Sequence, residues 1–175
     1  FARWAMVGHH VSHRGYDRHE GAPPRYRSKV FAQGWRRYID WLDWMHPAAW
    51  HHEHDFQHHY KLGEPGDPDV PESNAWWLRA SSIPMPIRSL IVYFGAMVWK
   101  PIYYAPNTLR CLMNHEERKT LDPPLELYDW RLWNPAKARV WRVILQCWLP
   151  YGVVRFGLIP ALFLLIAPWA APLAL

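Results

Sequence analysis

The apolar positions of this chain recur at helical spacing or in continuous runs. Within residues 30–45 apolar side chains return every three or four positions, at Phe31, Trp35, Tyr38, Trp41, Leu42 and Met45. That period predicts an amphipathic helix over residues 30–45, with charged side chains on its other face. Pro47 is suited to the first position of a helix, so we predict a second helix over residues 48–60.

Uncharged runs predict contact with a membrane. Residues 156–175 contain no charge, and about 20 apolar residues suffice to cross a bilayer. We therefore expect a transmembrane region over residues 140–175, kinked by its prolines. The apolar core at residues 90–99 is shorter and is more typical of a re-entrant, interfacial or buried segment, although a short span stays possible. Residues 1–7 resemble the end of another membrane helix. The expected fold is mainly α, with membrane-embedded helices and interfacial amphipathic helices.

Composition supports this expectation and excludes one class of partner. The 175 residues carry a formal net charge of +5 and are enough for a single domain over residues 1–175. A basic chain with an uncharged end is typical of a membrane protein with basic loops. Nucleic acid is excluded as a partner, because Lys and Arg are scattered and no nucleic-acid motif occurs. Cys111 and Cys147 form no zinc pattern, and we interpret both as unpaired thiols.

Histidines supply the candidate chemistry. Eight of the eleven lie in two short segments: His9, His10, His13, His51, His52, His54, His58 and His59. Imidazole is a common ligand of Fe, Zn, Cu and Ni. On a helix His9 and His13 share a face, as do His54 and His58, while His59 lies about 100° to one side. This arrangement predicts that two imidazoles bind one metal and the third reaches a neighbouring metal.

The second segment is the stronger signal. With this many histidines, shuffling yields His-x3-His about once, but the triplet of His54, His58 and His59 only on the order of 0.05 times. The alternatives are a solvated helix with incidental histidines or a metal-buffering tract. Acidic residues follow in a loop, at Glu64, Asp67, Asp69 and Glu72. They are interpreted as solvated charges in preference to groups that orient the ligand histidines.

These segments resemble the integral-membrane fatty acid desaturase family. Residues 8–18, GHHVSHRGYDR, resemble its first histidine box, and residues 44–60, WMHPAAWHHEHDFQHHY, resemble its second. Residues 63–69, GEPGDPD, are similar to the loop after that box. The resemblance covers the histidine-box region, residues 8–72. It implies a histidine-lined metal site at the membrane face, with iron ligands at His9, His13, His54, His58 and His59.

The resemblance also implies an activity and its partners. A non-haem di-iron centre would introduce a double bond into an acyl-lipid chain with O2, using electrons from ferredoxin or cytochrome b5, in an organelle membrane. The family has a third histidine box, whereas no histidine follows His115 here. We therefore expect either a fragment, which the two ends of the sequence favour, or an incomplete site.

Two other functions stay open. The chain is alternatively a catalytically silent, desaturase-like structural subunit of a larger membrane complex. A membrane zinc hydrolase is the weaker alternative, because Glu53 and His54 do not have the His-Glu-x2-His spacing of such enzymes.

Overall fold

Helices joined by turns form the structure, a computed structural model that describes residues 2–70 and 75–174, and those ranges contain no strand. The mainly α prediction is confirmed. Helix α1 is Ala2–Ser12. Helix α2 is Pro47–Glu53, continued by a π-helical turn at His54–His58 and a last α-helical turn at His59–Lys61. Helix α3 is Met85–Val98, and a π-helical segment at Trp99–Tyr104 joins it to α4, Ala105–Glu116.

The C-terminal third is dominated by α5, Ala138–Ile166, which contains π-helical turns at Ile144–Trp148 and Val154–Leu158. Shorter helical turns complete the described chain at Pro24–Tyr26, Gly34–Arg36, Arg37–Asp40, Trp76–Ala80, Trp130–Trp133 and Pro168–Ala174.

The core lies where α2 packs against α4. Ala49 and Trp50 of α2 are buried, as are Leu109 and Met113 of α4, and the loop residue Leu125 closes the same core. Burying a side chain such as leucine contributes about 1.5–3 kcal/mol, so these contacts fix the position of the histidine-rich helix. The segment containing α4 is polar in sequence, yet α4 is the central buried helix.

Arg14 ends helix α1 in the left-handed conformation. Its φ is 61°, and the Gly15 N–H and the Arg14 N–H donate to the carbonyls of His10 and Val11. This bonding pattern closes a helix C-terminus and ordinarily has glycine at the left-handed position. A Cβ on Gly15 would lie 2.9 Å from the His10 carbonyl oxygen. The close turn therefore fixes where the first histidine segment ends.

The predicted helix over residues 30–45 is wrong. Only Gly34–Arg36 and Arg37–Asp40 are helical there, because Ala32 and Gly34 take positive φ angles of 56° and 55°. Backbone in that conformation interrupts an α-helix. The apolar period still marks burial in part, since Phe31, Trp41 and Met45 lie in the core. Trp35 and Tyr38 instead remain 67% and 61% exposed.

Helix α5 is long and apolar enough to cross a membrane. Its 29 residues include an 18-residue stretch with a mean hydropathy of 1.9, and only 6% of that stretch is buried. The predicted transmembrane region, residues 140–175, and the observed helix α5 differ at both ends. The helix starts at Ala138 and stops at Ile166, where Ala167 leaves helical geometry with φ −150° and ψ 79°. Residues 156–175 are therefore not one continuous span.

Helix α3 also exposes apolar side chains. None of its residues is buried, and Tyr93 and Met97 are 72% and 81% exposed. A face of this size on a single helix is unusual for a protein surrounded only by water.

Candidate metal centre

Four imidazole rings meet where the end of α1 faces the second half of α2. Ring centroids of the neighbouring members lie 4.6–5.3 Å apart. We call this set the histidine cluster: His9, His13, His54 and His59. Ligand atoms of His9, His13 and His54 all lie within 4.8 Å of one another, the only such group of three among the described residues. Imidazole nitrogens this close can share one metal ion.

The π-helical turn at His54–His58 determines which histidines pair. The His59 N–H donates to the His54 carbonyl, five residues back rather than four. The longer turn places His54 Nε2 3.2 Å from His59 Nε2. His54 and His58 still stack, with ring planes 18° from parallel, but the expectation that His59 lies to one side of them is wrong. π-helical turns also occur at Trp99–Tyr104, Ile144–Trp148 and Val154–Leu158, so the ring contacts rather than the turn itself mark this site.

His58 faces an acidic network beside the cluster. Its ring lies 5.5 Å from that of His54, and its Nδ1 atom donates to Asp67 Oδ1 at 2.9 Å. A carboxylate only accepts hydrogen bonds, so His58 Nδ1 carries the proton of this bond. Asp67 is 4% exposed. Its interpretation as a solvated loop charge is therefore wrong, whereas Glu64 is exposed and Glu72 lies outside the described residues.

Asp55 lies beside two further rings. One carboxylate oxygen lies 3.2 Å from His13 Nδ1 and the other lies 2.6 Å from His51 Nδ1. A carboxylate beside Nδ1 favours the tautomer that leaves Nε2 available to a metal. Asp55 Oδ1 makes no hydrogen bond within the described part of the chain, so Asp55 holds the ring of His51 and acts on His13 through its charge alone.

Burial holds His54 in its neutral form. Burial, followed by the nearby rings of His59, His9 and His13, lowers the pKa of His54 to about 4. Burial also lowers the pKa of His9. Neutral imidazole is the form that binds metal, so both rings are ready to ligate at physiological pH. The buried Nδ1 atom of His54 has no hydrogen-bond partner among the described residues.

Glu53, Asp69 and Tyr104 form a largely buried acidic group beside His58, whose Nδ1 atom lies 3.9 Å from Asp69. The Tyr104 hydroxyl lies 3.4 Å from Glu53 Oε2 and 3.3 Å from Asp69 Oδ2. Burial, followed by repulsion from Asp69, raises the pKa of Glu53. A protonated Glu53 lets the two acidic side chains lie side by side without two adjacent negative charges.

Trp50 and an open cavity complete the surroundings. The Trp50 ring stacks on His54, with centroids 4.4 Å apart and planes 19° from parallel, which fixes the orientation of that imidazole. A cavity of about 490 Å³ opens on the other side of the cluster, lined by His9, Ser12, His13, Arg14, His51, Asp55, Phe56, His59 and Tyr60. A small molecule or a chain end can therefore reach the ligand nitrogens from outside.

The remaining histidines lie apart from the cluster. His10 is exposed, and its Nδ1 atom lies 2.7 Å from the Met6 carbonyl. His52 turns to the opposite side of α2, where its ring lies 4.5 Å from that of His115. His19 is exposed and His46 is half-buried. Both cysteines are free and buried, as predicted.

The structure thus brings His9, His13, His54 and His59 together and places His58 at the edge. Sequence reasoning missed Trp50, Asp55 and Tyr104. One signal was present for Asp55, since it follows His51 by four residues and so shares its helix face. Nothing in the sequence marks Tyr104, which reaches the site from the segment before α4.

No family model matches the chain, and no curated protein or solved structure matches it significantly. The interpretation of this site therefore rests on its geometry and chemistry.

Proposed function

We propose that this chain is a desaturase-like membrane oxidoreductase that uses non-haem iron to oxidise an acyl-lipid chain. The single observation that carries the proposal is the meeting of both histidine segments in one cluster. His9 and His54 are 45 positions apart in sequence, yet their ligand atoms lie within 4.8 Å of each other. An incidental histidine-rich surface does not require the rings of two separate helices to converge.

The donor set fits iron. His9, His13 and His54 would hold the ion, with His59 3.2 Å from His54 and His58 as the nearest further imidazole. Neutral imidazoles beside carboxylates suit non-haem iron, although zinc and copper accept the same ligands. A second iron needs ligands beyond the one group of three that the described residues present.

Iron bound here would supply the oxidising power for an unactivated C–H bond, which protein acids and bases cannot provide. Converting a CH2–CH2 unit to CH=CH releases two hydrogens, and reducing O2 to two waters takes those hydrogens with two further electrons and two protons. Ferredoxin or cytochrome b5 would donate the electrons.

The protein's own residues orient the ligands and admit the substrate. Asp67 holds the ring of His58, Trp50 holds that of His54, and the Asp55 carboxylate lies 3.2 Å from Nδ1 of His13. Phe56 and Tyr60 line the mouth of the cavity and are 53% and 79% exposed. Their apolar surfaces are suited to contact with an alkyl chain. The exposed faces of α3 and α5 would keep this mouth beside lipid.

Metal analysis of the full chain tests this function. The protein is purified in detergent with iron supplied, and iron is counted per folded chain in the wild type, His54→Ala and His10→Ala. We expect bound iron in the wild type and in His10→Ala and its loss in His54→Ala. An acyl-lipid with deuterium on its chain then reports oxidation by mass spectrometry. Folded wild-type protein that binds no iron would exclude the enzyme.

One observation favours the structural-subunit alternative. Helix α3 has no buried residue, and such a face suits other subunits of a membrane complex as well as lipid. Under this alternative the chain contains no iron and co-purifies with defined protein partners at fixed stoichiometry. The iron measurement separates the two functions.

A further inference from the structure

A second cavity lies between the loop after Phe31, the start of α2 and the first half of α5. Its volume is about 280 Å³, and none of its lining residues lines the cavity at the histidine cluster. Residues that matter for its chemistry are Arg37, Tyr38, His46, Ala48, Leu145 and Gln146. The cavity is therefore a separate site, beside the helix that is apolar enough to cross a membrane.

Arg37 places a buried positive charge in this cavity. The residue is 7% exposed, and its guanidinium donates to the main-chain carbonyls of Trp41 at 3.3 Å and Gln146 at 2.9 Å. Within residues 2–70 and 75–174 it makes no ion pair. Charged side chains are rarely buried without a partner of opposite charge, and guanidinium has five N–H donors, more than two carbonyls use.

The nearby carboxylates are already engaged. Asp43 lies 2.6 Å from Lys100, and Glu116 lies 2.8 Å from Arg142. Asp43 attracts Arg37 only from beyond ion-pair distance, and neither carboxylate makes an ion pair with it. The cavity thus keeps a net positive charge that an anion can balance.

His46 adds an unused polar atom. Its buried Nδ1 atom has no hydrogen-bond partner among the described residues. Burial, followed by the charges of Arg37 and Arg142, lowers the pKa of His46 to about 4, so the ring is neutral. A neutral imidazole can donate one N–H to an anion that Arg37 holds.

The surroundings of the cavity are apolar and exposed. Tyr38 and Leu145 line it and are 61% and 53% exposed, and Ile39 and Leu149 beside them are 62% and 51% exposed. On α5, Arg142 lies one turn before Gln146, and no charge follows until Arg155. A ligand here meets a positive site at one end and an uncharged helix face at the other.

We propose that this cavity binds the phosphate of a glycerophospholipid, with Arg37 and His46 on the phosphate and the acyl chains along the Leu145–Leu149 face of α5. Arginine is suited to phosphate because its planar donors match the phosphate oxygens. The exposed leucines favour a lipid as the ligand over a free anion. The acyl chains of a lipid would cover these leucines, whereas inorganic phosphate would leave them in contact with water.

Ligand-induced stabilisation of the full chain tests the proposal. The protein is purified in maltoside detergent, which contains no phosphate, and its melting temperature is followed against three probes: dihexanoyl phosphatidylglycerol, dihexanoylglycerol and inorganic phosphate. A ligand that binds only the folded state raises the melting temperature as its concentration rises. We expect a saturable rise with the phospholipid, and little or none with dihexanoylglycerol or inorganic phosphate.

Two variants and one matched control locate the site. Arg37→Gln should raise the apparent Kd for the phospholipid at least tenfold. Arg36→Gln is the control, because Arg36 is ion-paired to Asp40 and does not line the cavity; its Kd should be unchanged. Ala48→Trp fills the cavity from its exposed edge with Arg37 intact, so it decides the matter if Arg37→Gln does not fold. Equal stabilisation by dihexanoylglycerol, a response to inorganic phosphate alone, or wild-type affinity in a folded Arg37→Gln or Ala48→Trp protein would overturn the proposal.

Discussion

His58 donates its Nδ1 proton to Asp67 across 2.9 Å, and this bond ties α2 to the loop that follows it. Asp67 is itself held by the backbone N–H groups of Gly63 and Asp69, which donate to its two oxygens. The loop therefore presents a fixed carboxylate to the histidine. Partners of this kind orient metal-binding rings and raise their basicity.

Asp67→Asn should lower metal affinity. The amide keeps the shape of the side chain but removes the charge that favours the Nδ1 proton on His58, and such changes typically cost about 10–100-fold in affinity. Competition titration with a chelating dye measures the dissociation constant. Glu64→Gln, an exposed change in the same loop, is the control. Equal affinities in both variants would show that His58 takes no part in binding.

His59→Ala should weaken metal binding more than His10→Ala. His59 lies 3.2 Å from His54 through the π-helical turn, whereas His10 points away to a main-chain carbonyl. Iron or cobalt titration of the two purified variants measures the difference. If the two variants bind metal equally well, the pairing of His54 with His59 has no part in the site.

Arg14→Gly should stabilise the folded chain. Arg14 has a φ of 61°, and left-handed backbone costs a residue with a side chain about 1 kcal/mol relative to glycine. Thermal unfolding in detergent measures the change. Gly15→Ala should instead destabilise, because its Cβ would lie 2.9 Å from the His10 carbonyl oxygen. A fall in stability with Arg14→Gly would indicate that the arginine makes a contact that outweighs the strain.

Stability should fall with acid because of His46. The unfolded residue takes up a proton near pH 6.5, whereas the folded one stays neutral down to about pH 4. Between these values the unfolded state binds more protons, so the free energy of unfolding decreases as the pH falls from about 6.5 towards 4. His46→Gln should reduce this dependence when unfolding is followed at a series of pH values, and His54, whose pKa is also about 4 in the folded chain, accounts for a similar remaining part. His19→Gln, at an exposed position, should leave it as in the wild type, and equal slopes in all three proteins would contradict the assignment.

Leu158→Arg should impair membrane insertion. Leu158 is 56% exposed near the middle of the apolar half of α5, and arginine at the centre of a membrane helix costs about 2.5–3.5 kcal/mol. The measurement is the fraction of protein that resists alkaline extraction from membranes. Leu62→Arg, at an exposed loop position, is the matched control. Unchanged extraction of Leu158→Arg would show that α5 does not cross the bilayer.

The sequence could predict those helices whose own residues mark them, through proline placement or apolar composition. The start of α2 at Pro47 follows from proline placement, and apolar composition marks the presence of α5 but not its two ends. The prediction of a helix over residues 30–45 was wrong because Ala32 adopts a left-handed backbone conformation. An alanine in a sequence does not indicate that conformation. The Ala32 N–H is held by Asp40 Oδ2, a contact that exists only once the chain is folded.

The candidate site was predictable in its residue types but not in its pairing. The histidine spacing identified the rings, since imidazoles in this density are rare outside metal sites. Placing His59 beside His54 required the π-helical turn, which the residue types of the turn do not predict. Asp67 was misjudged because its burial depends on a loop folding back over α2.

The π-helical turn also determines how the second histidine segment would respond to the removal of one residue. A bond that reaches five residues back accommodates one residue more than an α-helical turn, so His59 occupies the position that an i+4 residue has elsewhere. Removing Gln57 would leave all the histidines, and a regular helix would then place the same two imidazoles four residues apart on one face. The helix ends at Lys61, only two residues after His59. The change is thus absorbed locally, and this segment can lose one residue without separating His54 from His59.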